Sequence, residues 1–167
     1  MSSHVRSSFQ RNFNAVTAAA EIMNVPIFVA SPGPDAAQEA LADQLSIASS
    51  HREFHSGEHG SPWLNAAFVD TLAQQDRSTL LLAGFWLEHQ VLATALHALA
   101  ESYDVYILID ATLARARATA RLSRERLIQA GATPVATSQV IHEWALEAPD
   151  ATKRAALSSL LAPLIES

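Results

Sequence analysis

Two solid apolar runs, Ser78-Thr-Leu-Leu-Leu-Ala-Gly84 and Asp104-Val-Tyr-Ile-Leu-Ile-Asp110, bracket a stretch in which Val91, Leu92, Ala95 and Leu99 recur at helical spacing. Neither run alternates apolar with polar residues, so each reads as a strand buried on both faces. A strand, a helix and a second strand of this kind return the chain parallel to itself.

The same alternation extends in both directions. Phe9, Phe13, Val16, Ala20 and Met23, spaced by threes and fours, predict an amphipathic helix from about Ser7 to Asn24. Pro26-Ile-Phe-Val-Ala30 is a short buried strand closed by Ser31-Pro-Gly-Pro34, and Asp35 is placed to cap a helix reaching about Leu45. The polar segment from Ser46 to Pro62 reads as a short edge strand followed by a long loop. Helices are expected over about Leu64–Gln75 and Leu113–Ala130, the latter stopped by Gly131. Pro134–Thr137 is the last strand, and helices at about Ser138–Glu147 and Asp150–Leu164 finish the chain. The fold class is therefore α/β: a three-layer α-β-α sandwich around a mostly parallel sheet, with residues 1–167 forming one domain.

Composition removes several functions. A formal net charge of −6, with 11 basic against 17 acidic residues, leaves no electrostatic footprint for nucleic acid. No apolar stretch approaches the roughly 20 residues that span a bilayer, and the polar start, MSSHVRSSFQRNFNAV, has no apolar run of the signal-peptide kind. A cytoplasmic protein without membrane contact is expected. There is no cysteine, hence no disulfide, no thiolate metal site and no thiol nucleophile. Gly-x-Ser-x-Gly elbows, phosphate-binding loops and dinucleotide fingerprints are missing too, so no cofactor is expected.

The block from Leu80 to Ala111 resembles the signature of the isochorismatase-like cysteine hydrolases, in which an apolar strand enters a Gly-x-x-Thr-x-x-Cys-Val turn, a helix follows, and the next strand ends in Asp-Ala. Phe9 to Val29, Trp63 to Phe68, and Arg121 to Trp144 are similar to the YcaC-like branch of that family. The resemblance implies a Rossmann-like sheet with strand order 3-2-1-4-5-6 and a Cys–Asp–Lys catalytic set. In that set the helix N-terminal amides stabilise first a thiolate and then an oxyanion.

Counted from Gly84, the family's cysteine position is Gln90 and its threonine is Leu87. A carboxamide cannot act as that nucleophile. The family's general-base aspartate closes a first strand, whereas only Met1 to Arg6 precede the first helix here. The family's cation should fall near Ser56, with Arg52 and His55 as the nearest candidates. The resemblance thus implies a catalytically degenerate member, lacking the first strand, that keeps a site for a small molecule or partner. With that strand gone, Pro26–Ala30 is expected to pair directly with Thr79–Ala83.

The implied pocket is lined by Trp63, Phe85, Trp86, Leu87 and Gln90, with the Phe85–Trp86 bond at a position that is often cis in the family. The alternative is an active hydrolase of small amides or related compounds, in which His55, Glu88 or His89 replaces the thiol chemistry. A third reading is an assembly subunit, a dimer or larger homo-oligomer, using Ala151, Ala155, Ala156 and Leu157 for close packing. His51, His55 and His59 recur every fourth residue beside Glu58, but Gly57 and Gly60 argue against the helix that would align them, and no metal site is expected. Asp110 is expected to fix the adjoining loops.

Overall fold

Helix α1 (Ser3–Ile22) leads into strand β1 (Ile27–Ser31), and β2 (His51–His55) pairs parallel to β1 with Ile27 opposite His51 and Ser31 opposite His55. The structure, a computed structural model, describes residues 3–31, 45–47, 51–55 and 61–165. The helix expected after Asp35 lies outside the described residues. A 3₁₀ turn at Pro62–Leu64 precedes α2 (Ala66–Ala73). Asn65 caps α2, its Oδ1 accepting from the amides of Ala67 and Phe68, while its Nδ2 donates to the His55 carbonyl and ties the helix to the end of β2.

Strand β3 (Thr79–Phe85), a π-helical turn (Leu87–Val91), α3 (Leu92–Ala100) and β4 (Asp104–Leu113) form the predicted strand–helix–strand unit, and β4 pairs parallel to β3. β4 runs three residues past its expected end at Asp110 because the register shifts between Leu82 and Gly84 and then resumes, with Gly84 opposite Thr112 and Phe85 opposite Leu113. Helix α4 accordingly starts only at Arg117. It ends at Ala130 with Gly131 at φ 106°, the left-handed conformation expected of a glycine there. β5 (Thr133–Val135) pairs with β4, and α5 (Thr137–Leu146) and α6 (Ala151–Ile165) close the fold.

All strand pairings among the described residues are parallel, and helices cover the sheets, as the solid apolar runs require. Below β4, Val105, Ile107, Leu127 and Ala95 form one core cluster with α3 and α4. On the opposite face Val16 of α1, Leu108, Ala111 and Val140 form another. Leu157 and Leu161 of α6 join Ala15, Ala19 and Ile141 in a third. Leu157 is thus fully buried within its own chain and is unavailable for contact between chains, whereas Ala151 and Ala155 are exposed.

The sheet does not close as expected. Among the described residues β1 pairs with β2 and β3 pairs with β4, giving separate sheets ordered β1-β2 and β3-β4-β5, with no β1–β3 ladder. The reason lies in the covering layers. On one face Phe13 and Val16 of α1 pack with Leu81 and Ala83, while Asn14 and Thr17 bond to the backbone of Ser46 ahead of β2. On the other face Trp63 packs with Leu80 and Leu82 and also meets Phe68, which rests on Phe28 and Phe54. Closing the gap would require both layers to repack.

Candidate functional site

Four of the five expected pocket residues, Phe85, Trp86, Leu87 and Gln90, lie on the turn after β3, but their side chains part to different clusters. Gly84 adopts φ 122°, a conformation that L-residues with a side chain rarely take, and the Phe85–Trp86 peptide is cis. The Trp86 carbonyl accepts from His89 N at 3.0 Å and Val91 N at 3.3 Å, which winds the start of the helix into a π turn.

Trp86 and Leu87 are 6% and 3% exposed, so both point inward. Trp86 packs with Phe9 of α1, Leu113 and Phe85, whereas Leu87 joins the α3–α4 core on the other side. Gln90 folds back: its Oε1 accepts from Trp86 N at 3.4 Å. The carboxamide therefore braces the turn at the position where the resemblance would place a nucleophile.

Glu88 and His89, adjacent in sequence, diverge. Glu88 Oε1 accepts from the Arg115 backbone amide at 2.7 Å, linking the turn to the loop after β4, while His89 is exposed. The Arg115 guanidinium carbon stands 4.9 Å from the centre of the Trp86 ring, a cation–π placement that nothing in the sequence announced. Trp63 sits further off, its Nε1 donating to the Thr94 carbonyl at 3.0 Å and its ring against Phe68 and Tyr103.

Four buried polar side-chain atoms among the described residues have no hydrogen-bond partner: Arg11 Nε, Trp86 Nε1, Glu88 Oε2 and Thr112 Oγ1. Two of these belong to the turn, and Thr112 is the residue paired with Gly84. Buried polar groups are ordinarily satisfied, so a donor, an acceptor and a hydroxyl left open in this neighbourhood mark it out chemically.

The remaining candidates do not converge here. His55 and Arg52 are exposed on β2, and His51 Nε2 lies 3.0 Å from Glu53 Oε1 on the same strand. Glu58 and His59 lie outside the described residues, and among the described residues no three His, Asp or Glu side chains group as metal ligands. Asp110 is structural: its Oδ1 accepts from Thr137 N at 2.9 Å and Thr137 Oγ1 at 2.8 Å, and its carbonyl accepts from Asn12 Nδ2. It pins the start of α5 and the middle of α1 to β4. No described helix is long and apolar enough to cross a membrane.

The sequence profile of the isochorismatase domain matches residues 2–139. No curated protein matches the chain. Among solved structures, the YcaC gene product of Escherichia coli, described as an octameric hydrolase of unknown specificity, aligns with a TM-score of 0.74 at 21% identity over 94% of this chain and 78% of that one. YcaC from Pseudomonas aeruginosa, solved with hexane-2,5-diol and covalent acrylamide, gives 0.75 at 18% identity over 95% and 79%. MAR1 ribonuclease from Caenorhabditis elegans gives 0.75 at 20% identity over 95% and 79%. At these identities the solved structures establish a shared fold.

Proposed function

The chain belongs to the isochorismatase family, and we propose that it binds a small polar molecule at the Gly84–Val91 turn without the thiol chemistry the same turn serves in cysteine hydrolases. By the resemblance Gln90 holds the nucleophile position, and its carboxamide oxygen accepts from Trp86 N. What carries the binding reading is the open polarity around the turn: Trp86 Nε1 offers a donor, Glu88 Oε2 an acceptor and Thr112 Oγ1 either. A compound with one donor and one acceptor, such as a primary amide or a carboxylic acid, answers that set. Arg115 over the Trp86 face favours an acidic or strongly dipolar one.

A thermal-shift and calorimetric screen of small primary amides and their acids tests this. A ligand at a hundred times its Kd stabilises the fold by about 2.7 kcal/mol. Glu88→Gln preserves an oxygen for Arg115 N but turns the open acceptor into a donor, so it should abolish that stabilisation while the protein stays folded. Ammonia release from an amide, lost in Glu88→Gln, would instead make the protein an amide hydrolase working without cysteine. Absence of any saturable ligand would sink the binding reading.

The octameric state of the E. coli YcaC gene product supports homo-oligomeric assembly here too. Sedimentation of the purified chain as a monomer at micromolar concentration would count against it.

A further inference from the structure

Residues 115–126 hold five of the chain's eleven basic residues, Arg115, Arg117, Arg121, Arg124 and Arg126, against one acid, Glu125, while the remainder carries six basic and sixteen acidic residues. All five arginines are exposed. Four of them lie on α4, of whose fourteen residues only Ser123 and Leu127 are buried. Arg121 Nη1 donates to Glu125 Oε1 at 2.7 Å on the same helix, and Arg117, Arg124 and Arg126 join no ion pair among the described residues. Arg117, Arg121, Arg124 and Ile128 are spaced by four, three and four, so they share one stripe. Ile128 is 49% exposed and Leu122, beside Arg121, is 57% exposed.

The complement of this surface lies on the other side of the sheet. α4 covers the face that holds Ile107, and α5 the face that holds Leu108. α5 buries Val140, Ile141 and Ala145, which leaves Glu143, Leu146 and Glu147 exposed, with Asp150 just beyond and Leu146 at 66%. No lysine or arginine falls within residues 143–150. The next cations are Lys153, which is half-buried, and Arg154, whose guanidinium donates to the carbonyls of Ala145 and Ala148.

We propose that the α4 stripe docks on the end of α5 in a second copy of this chain, its arginines against Glu143, Glu147 and Asp150 and its exposed apolar residues against Leu146. This rests on the homo-oligomeric reading above and gives that assembly its surface. Charge selects the occupant, because outside residues 115–126 the chain is strongly acidic. Shape of polarity selects it further: residues 143–150 combine acids with an exposed leucine, as the stripe combines arginines with exposed leucine and isoleucine. Together they make an apolar centre with a charged rim. A phosphate backbone would answer the arginines alone and would be repelled by the rest of the molecule. Because the two patches differ and sit on opposite faces, the contact is head-to-tail, which builds a ring where the rotation closes and an open chain where it does not.

Sedimentation velocity of the full chain at micromolar concentration and low salt reads this. The parent should associate. Arg117→Glu with Arg124→Glu should weaken association by at least about tenfold, and so should Glu143→Arg with Glu147→Arg, since each sets like charges against one another. Both pairs suit their own helices: Arg117 opens α4, where the helix dipole favours an acid, and Glu143 and Glu147 lie at the end of α5, where it favours a cation. Each variant should therefore keep the parent's circular dichroism. An equimolar mixture of the two variants should associate as the parent does, because every contact again joins an acidic face to a basic one.

A monomeric parent overturns this proposal and the homo-oligomeric reading together. An assembled parent whose variants sediment unchanged overturns the proposal alone. Variants that dissociate singly but stay apart when mixed overturn the pairing of these two faces. Binding of the parent to polyuridylate, lost in the Arg117→Glu and Arg124→Glu variant while its oligomer persists, assigns the stripe to nucleic acid and also overturns it.

Discussion

Glu88 reaches across from the turn after β3 to accept the backbone amide of Arg115 at 2.7 Å, while the Arg115 side chain lies over the ring of Trp86, two residues before Glu88. The turn and the loop after β4 are thereby fastened by two contacts of opposite kind, one to main chain and one to an aromatic face. Only one carboxylate oxygen is used. The other is buried without a partner.

Glu88→Ala removes the acceptor from Arg115 N. Because Arg115 is exposed, water can replace the bond, and the expected loss is about 0.5–1.5 kcal/mol in urea unfolding. Glu88→Gln keeps an oxygen there and should unfold within about 0.5 kcal/mol of the parent. Equal losses in both variants would show that charge, not the bond, secures the loop.

Asp110→Ala leaves Thr137 N and Oγ1 without their acceptor in a residue that is 0% exposed. The expected cost is about 2–3 kcal/mol, the penalty for stranding buried donors. Thr137→Val keeps the amide bond and should cost less. A double-mutant cycle should show the two changes to be strongly non-additive.

Gln90→Cys places a thiol where the resemblance puts the family's nucleophile. Since the parent has no cysteine, an acrylamide adduct by intact mass should arise only in the variant. No amide turnover should accompany it, because the Gln90 side chain bonds to Trp86 N and no described carboxylate or imidazole hydrogen-bonds to it, leaving no aligned base. Ammonia release from the variant would mean that the rest of the machinery is in place.

Gly131→Ala tests backbone strain in isolation. At φ 106° a Cβ is disfavoured, yet the nearest heavy atom, Leu99 Cδ2, is 3.8 Å from where it would sit, so packing is not the obstacle. A loss of about 1–2 kcal/mol is expected, read as a Tm about 2–8 °C lower.

The sequence by itself determined the order of strands and helices among the described residues, the parallel sense of their pairing, the stop at Gly131, the structural use of Asp110 and the family turn from Gly84 to Val91. These are local matters: periodicity, uncharged apolar runs, a glycine after a helix and a motif at fixed spacing all leave side-chain traces. Tertiary structure alone decided that β4 continues to Leu113, that Leu157 packs within the chain, that Gln90 turns back onto Trp86 N and that Arg115 covers the Trp86 ring. It also decided that β1 and β3 stay apart. Edge pairing is made by backbone N–H and C=O groups, which nearly every residue carries in the same form. A run such as Leu80–Ala83 therefore reads the same whether a strand lies on one side of it or on both, and only the packed layers of α1 and Trp63 settle how far apart its neighbours stand.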